Sequence, residues 1–216
     1  MTRKFSEPKR NQSNREKKPL EISQGNWREY LNKEFSKSIE IIKDYSNISE
    51  SEDILRTQLS FLMSLYDYLI HEVLKYKMLD IFDGNNADGI KGFNKFKISM
   101  SNLRIAIEHP KNKKWLENEI ESQKGGASFI NPNKTLEALS IVSSENILGK
   151  YCMDNKKDYN QFIEELSTLN KRRNKIVHEM DIIDKNTWKR QEIKKKEVDD
   201  YVKLIEDLGN YIINKI

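Results

Sequence analysis

Arg173, Asn174 and His178 place a permanent cation, an amide and a titratable imidazole within six residues of one basic run, residues 171–178. A guanidinium clamps a phosphate through a planar fork of donors, and an imidazole moves protons near neutral pH. Together these are the groups needed to break an RNA phosphodiester without a metal. The 2′-hydroxyl needs a base, the leaving 5′-oxygen needs an acid, and the phosphorane between them needs positive charge. His178 suits either proton role, Arg173 the electrostatic role, and Asn174 the holding of the imidazole or the phosphate. Lys171, Arg172 and Lys175 around them are candidate RNA contacts. Products would carry a 2′,3′-cyclic phosphate and a 5′-hydroxyl.

The spacing constrains this chemistry. On a helix Asn174 and His178 are four apart and share a face. Arg173 lies ~140° from His178, at ~100° per residue. A straight helix in one chain therefore does not aim both at one phosphate. A helix end, a kink, or a second copy of the segment would.

The other chemistry-bearing residues read more plainly as structure. His71 with Glu72 falls inside an apolar helix and is expected to be a buried, hydrogen-bonded histidine. His109 precedes Pro110 at a helix end, where capping is expected. Three histidines with no His-x-x-x-His spacing or carboxylate clustering do not make a transition-metal site, so no metal is expected. Cys152, the single cysteine, excludes an intramolecular disulfide and reads as a small core residue. The glycines form no phosphate-binding or dinucleotide fingerprint, and no cofactor is expected.

Helices must carry these residues. Trp27, Tyr30, Leu31, Phe35, Ile39 and Ile42 line one face of an expected helix over residues 27–45. Leu55, Leu59, Leu62, Met63, Tyr66, Leu69, Ile70, Val73 and Leu74 form a broad apolar stripe over 52–82, the expected spine. Turn residues from Asp83 end it. Shorter helices are expected over 93–108, 115–123, 135–142 and 145–151, with a loop over 127–134. A long helix over 158–180 carries the motif, with Phe162, Leu166, Leu169, Ile176 and Val177 facing inward. A break over 181–186 leads to a last helix over 188–216, with Val198, Val202, Ile205, Leu208 and Ile212 inward. No strand and no internal repeat is expected, and the fold class is all-α.

Composition agrees with a soluble helical protein: 216 residues, 37% hydrophobic, 33% charged, 8 Gly and 4 Pro. No run approaches a membrane span, and the basic N-terminus lacks the apolar core of a secretory signal, so a reducing cytoplasm is the expected compartment. The net charge of +4 is uneven. Residues 1–19 hold seven basic side chains against Glu7 and Glu16, while the remainder is close to neutral. Residues 1–25 are therefore expected to be a disordered basic arm and 26–216 the folded domain.

The order Arg172-Arg173-Asn174-Lys175-Ile176-Val177-His178-Glu179-Met180-Asp181 resembles the signature of the HEPN superfamily (higher eukaryotes and prokaryotes nucleotide-binding), particularly its RiboL-PSP branch. The preceding segment 162–170 is similar too. Leu59 to Glu72, with its aromatic centre and late His-acid pair, resembles that branch's early helix. Ser128 to Lys134 resembles its Phe-x-x-Pro lead-in. The resemblance covers roughly residues 53–208, and Arg172 beside Arg173 offers a second register for the motif. It implies a HEPN-like helical bundle with a short helical insert, paired as a two-fold homodimer. It further implies a metal-independent endoribonuclease acting on RNA, in a bacterial toxin-antitoxin or anti-phage defence system, with an antitoxin or defence-complex protein as a further partner. A non-catalytic HEPN subunit that binds nucleic acid or a partner protein is the alternative.

Overall fold

The structure, a computed structural model, describes residues 26–85 and 90–216. The expected arm, residues 1–25, lies outside the described residues. The elements run α1 (Trp27–Ile48), α2 (Glu52–Phe82), α3 (Lys91–Asn94), α4 (Met100–Glu108), α5 (Lys114–Lys124), α6 (Pro132–Leu139), α7 (Ile147–Asp154), α8 (Tyr159–Glu179), β1 (Ile182–Asp184), β2 (Lys189–Arg190) and α9 (Lys195–Lys215).

Helix α2 is the spine. Ser51 caps its start by accepting the Ile54 N–H, Glu52 and Asp53 occupy the first turn, and thirty-one residues give a rod about 46 Å long. All nine residues of its predicted stripe are buried. Helices α1 and α9 pack against it and against each other, and α8 lies along its first half. Gly209 permits the crossing of α9 with α1 and α2. A Cβ there would stand 2.3 Å from Phe35 Cζ and 3.0 Å from Leu69 Cδ2. Helices α6 and α7 bridge to α8, and α5 packs on α2, where Phe82 and Trp115 meet edge to face at 5.2 Å.

The structure departs from the sequence expectation at three places. The expected helix over 93–108 is two helices, α3 and α4, separated at residues 95–99. Ser99 caps α4 through the Asn102 N–H, and the buried Glu119 accepts from Ser99 N at 3.2 Å, Ser99 Oγ and the Asn102 amide. Those polar bonds compete successfully with continuation of the helix. The expected helix over 188–216 begins only at Lys195, because residues 182–190 fold into an antiparallel hairpin with Ile182 opposite Arg190 and Asp184 opposite Lys189. A strand pair thus stands where no strand was expected. Third, Val177 is exposed and Ile176 only half-buried, so the inward face of α8 ends earlier than its periodicity implies.

Candidate functional site

Helix α8 starts at a firm cap, with the Asp158 carboxylate accepting the Gln161 N–H at 2.8 Å. Phe162, Leu166 and Leu169 bury its first turns, and the helix continues without interruption through His178. It stops where Met180 and then Asp181 take left-handed backbone, φ 53° and 61°. The N–H groups of both residues return to the Lys175 carbonyl, the Asp181 bond at 3.0 Å. Two consecutive non-glycine residues in that region are costly and persist only where surrounding contacts hold them.

Those contacts centre on Asp181, which has no exposed surface. Its Oδ2 accepts from Arg56 Nε and from Arg172 Nη2, each at 2.9 Å. The two guanidiniums also bind the chain beyond the hairpin. Arg56 donates to the Gln191 carbonyl at 2.7 Å and to Glu52, and Arg172 donates to the Glu192 carbonyl at 2.9 Å. One buried carboxylate thereby ties the spine, the end of α8 and the approach to α9. Arg190 adds a further tie, donating to the Met180 carbonyl at 3.2 Å and pairing with Asp53, whose carboxyl it holds below the usual range.

This cluster separates the two arginines that the sequence left in competing registers. Arg172 is 6% exposed and engaged with Asp181, so it is not on the surface where an RNA contact was expected. Arg173 falls by helical rotation on the side of Leu166 and Leu169, half-buried, with Nη1 donating to Asn174 Oδ1 at 3.1 Å and Nε buried without a partner. Asn174 is exposed and its amide reaches Asn170 Oδ1 at 3.4 Å. His178 is exposed in the last turn. Lys171 is exposed and Lys175 half-buried; by helical rotation both share the outward side with Asn174 and His178. Arg173 and His178 are thus neighbours along α8 that point to different sides, their backbones about 7.5 Å apart along the axis.

Between α2 and the end of α8 runs a groove of about 360 Å³, lined among others by Thr57, Ser60, Phe61, Ser64, Val177 and Met180. Phe61, Val177 and Met180 are large apolar side chains exposed next to the motif.

Of the remaining candidates, His71 departs from its expected burial. His71 is half-buried, its Nε2 3.0 Å from the Ala127 carbonyl and its ring 4.5 Å from that of Phe129. His109 is the C-cap of α4. Cys152 is buried, and burial pushes its thiol up, away from the reactive thiolate. Among the described residues no three His, Cys, Asp or Glu side chains gather as a metal cage, and no helix is long and apolar enough to cross a membrane. Sequence reasoning missed Arg56 and Asp181. The available signal was a charged residue flanked by Leu55 and Leu59 in an apolar stripe, which demands a buried partner.

No known protein family matches the chain, and neither curated proteins nor solved structures provide a significant match. What fold and geometry define is an all-α domain in which α2, the end of α8 and the approach to α9 meet at a buried ion cluster, with a polar, partly basic helix end displayed beside it.

Proposed function

We propose that this chain is a HEPN-like, metal-independent endoribonuclease whose site is completed by a second copy of itself. The observation that carries this reading is the sorting of the motif on α8. Arg172 is tied into the fold, while Arg173 is half-buried with Nη1 on Asn174, and Asn174 and His178 are exposed on the same helix end.

In this reading His178 exchanges a proton with the 2′-hydroxyl or with the leaving 5′-oxygen, and Arg173 holds a non-bridging phosphate oxygen as charge develops there. Asn174 keeps Arg173 extended along the helix. The 2′-oxygen bonds to phosphorus, the P–O5′ bond breaks, and the proton taken from the 2′-hydroxyl is balanced by one delivered to O5′. One imidazole cannot stand on both sides of the phosphorus at once. A two-fold axis beside α8 brings a second His178 and a second Arg173 to the same phosphate, which answers their divergence within one chain. The exposed apolar strip Phe61, Val177 and Met180 gives such an axis a surface to bury.

The test is cleavage of a labelled RNA by purified protein in EDTA, with product ends identified. Wild type is expected to cut and leave cyclic phosphate ends. His178→Ala is expected to lose about 10²–10⁴ in rate, the usual worth of a positioned proton-transfer group, and Arg173→Ala a comparable factor. Equal cutting by wild type and His178→Ala would end the proposal. Binding of RNA without cutting would favour the non-catalytic HEPN alternative.

A further inference from the structure

Hairpin 182–190 displays an aromatic and cations that the reaction does not use. Trp188 is 70% exposed and holds left-handed backbone, φ 56°, whereas Trp27 and Trp115 are each 3% exposed. The turn beneath it is built by Asp184, whose carboxylate accepts the Thr187 hydroxyl at 2.7 Å and the Asn186 N–H at 2.9 Å. The one acidic group of the tip is thereby used internally. Lys185 and Lys189 on either side of Trp188 are exposed, and neither forms an ion pair among the described residues. Over residues 185–196 there are six basic side chains and one acidic one.

The hairpin is also fixed to the helix end. Arg190 donates to the Met180 carbonyl, and Gln191 N donates to the Asp181 carbonyl at 2.9 Å. Trp188 stands two residues before Arg190, whose bond to the Met180 carbonyl ties this side of the hairpin to the end of α8. A solvated indole flanked by cations suits a polyanion whose bases are free to stack. In a duplex those faces are already stacked, so the ligand is single-stranded.

We propose that this hairpin is a single-strand RNA platform, in which Trp188 stacks on an unpaired base while Lys185 and Lys189 contact the flanking phosphates. It rests on the ribonuclease reading only for the identity of the nucleic acid, and it assigns that site an unpaired substrate.

The experiment uses full-length protein carrying His178→Ala, so that RNA stays intact, titrated with an oligouridylate and with an RNA duplex of equal length. Trp188 dominates any change in intrinsic fluorescence because the other two tryptophans are buried. The oligouridylate is expected to quench it and the duplex to do so much less. Adding Trp188→Ala should weaken oligouridylate binding about five- to a hundredfold, and Trp188→Tyr should restore most of it. Lys185→Ala with Lys189→Ala should weaken binding and flatten its salt dependence. Circular dichroism and light scattering on each variant accompany the titrations.

Unchanged affinity in a folded Trp188→Ala protein overturns the platform. So does loss of the dimer in that variant, which would make Trp188 a protein contact. Quenching and tryptophan-dependent binding without cleavage by wild type leave the platform standing and remove the ribonuclease reading. Cleavage by wild type with no effect of Trp188→Ala on binding does the reverse.

Discussion

Asp181 neutralises two guanidiniums at once inside the protein, and its loss is more damaging than that of any surface ion pair. Without it Arg172 stays buried with its charge uncompensated, while Arg56 keeps Glu52 and Asp53; removing one partner of a buried pair costs about 3–5 kcal/mol. Asp181→Ala should therefore lower the unfolding free energy measured in urea by that amount, and a change below about 1 kcal/mol would show the cluster to be incidental. Arg104→Ala serves as the contrast. Its pairing with Glu108 joins two exposed side chains on α4, and a change of no more than about 0.5 kcal/mol is expected in the same measurement. Neighbouring residues of one type thus take different places: Arg172 closes the fold on Asp181, and Arg173 is half-buried without an ion-pair partner among the described residues.

At the scale of elements, α4 is held to α5 through Glu119 rather than through an apolar face, since α4 has no buried residue. Hydrogen bonds from Ser99, Asn102 and Gln123 push the Glu119 carboxyl down to about 2. A carboxyl depressed in the folded state contributes stability above its unfolded pKa, about 4.3, and loses that contribution as pH falls toward the folded value. Protection of the α4 amides, relative to their intrinsic exchange rate at each pH, should therefore fall between about pH 4.3 and 2. Glu119→Gln should remove that dependence. A helix that stays equally protected across the range would show that another contact holds it. The crossing at Gly209 gives a second expectation. A methyl there meets the ring of Phe35, which is buried and has no free end to yield. Gly209→Ala should cost about 1–3 kcal/mol by overpacking, offset in part by about 1 kcal/mol of helix propensity. Equilibrium unfolding in urea measures the balance.

For the molecule as a whole, the proposed pairing of two chains makes assembly and activity inseparable. Phe61, Val177 and Met180 form an exposed apolar strip along the groove between α2 and the end of α8. Val177→Asp puts a charge into that strip, and it should shift the protein toward monomer in light scattering and lower cleavage in parallel. Full activity from a monomer would defeat the shared site. Deleting residues 1–25 should preserve the dimer and the cutting of short RNA, while weakening the salt-sensitive binding of long RNA contributed by the basic arm. Strong loss of short-RNA cleavage on that deletion would assign the arm to the site instead.

Periodicity by itself determined the helical class and the main packing faces. The stripes of α1, α2 and α9 are long, and helical spacing sorts their apolar residues regardless of what lies opposite. The span of α2 was legible because Ser51, Glu52 and Asp53 at its start and Gly84 beyond its end signal locally. The candidate motif was legible for the same reason, as residue types at fixed spacing. Which arginine belongs to it was not. Arg172 and Arg173 are identical in type and adjacent in sequence, and only the arrival of Asp181 and Arg56 against one of them tells them apart. The hairpin was equally hidden. Its two short strands carry too little alternation to announce themselves, and they form because Arg190 and Gln191 bond back to Met180 and Asp181 across the turn. Tertiary contact also decided where α9 begins and why Trp188 faces solvent, since both follow from bonds between residues whose partners lie elsewhere in the chain.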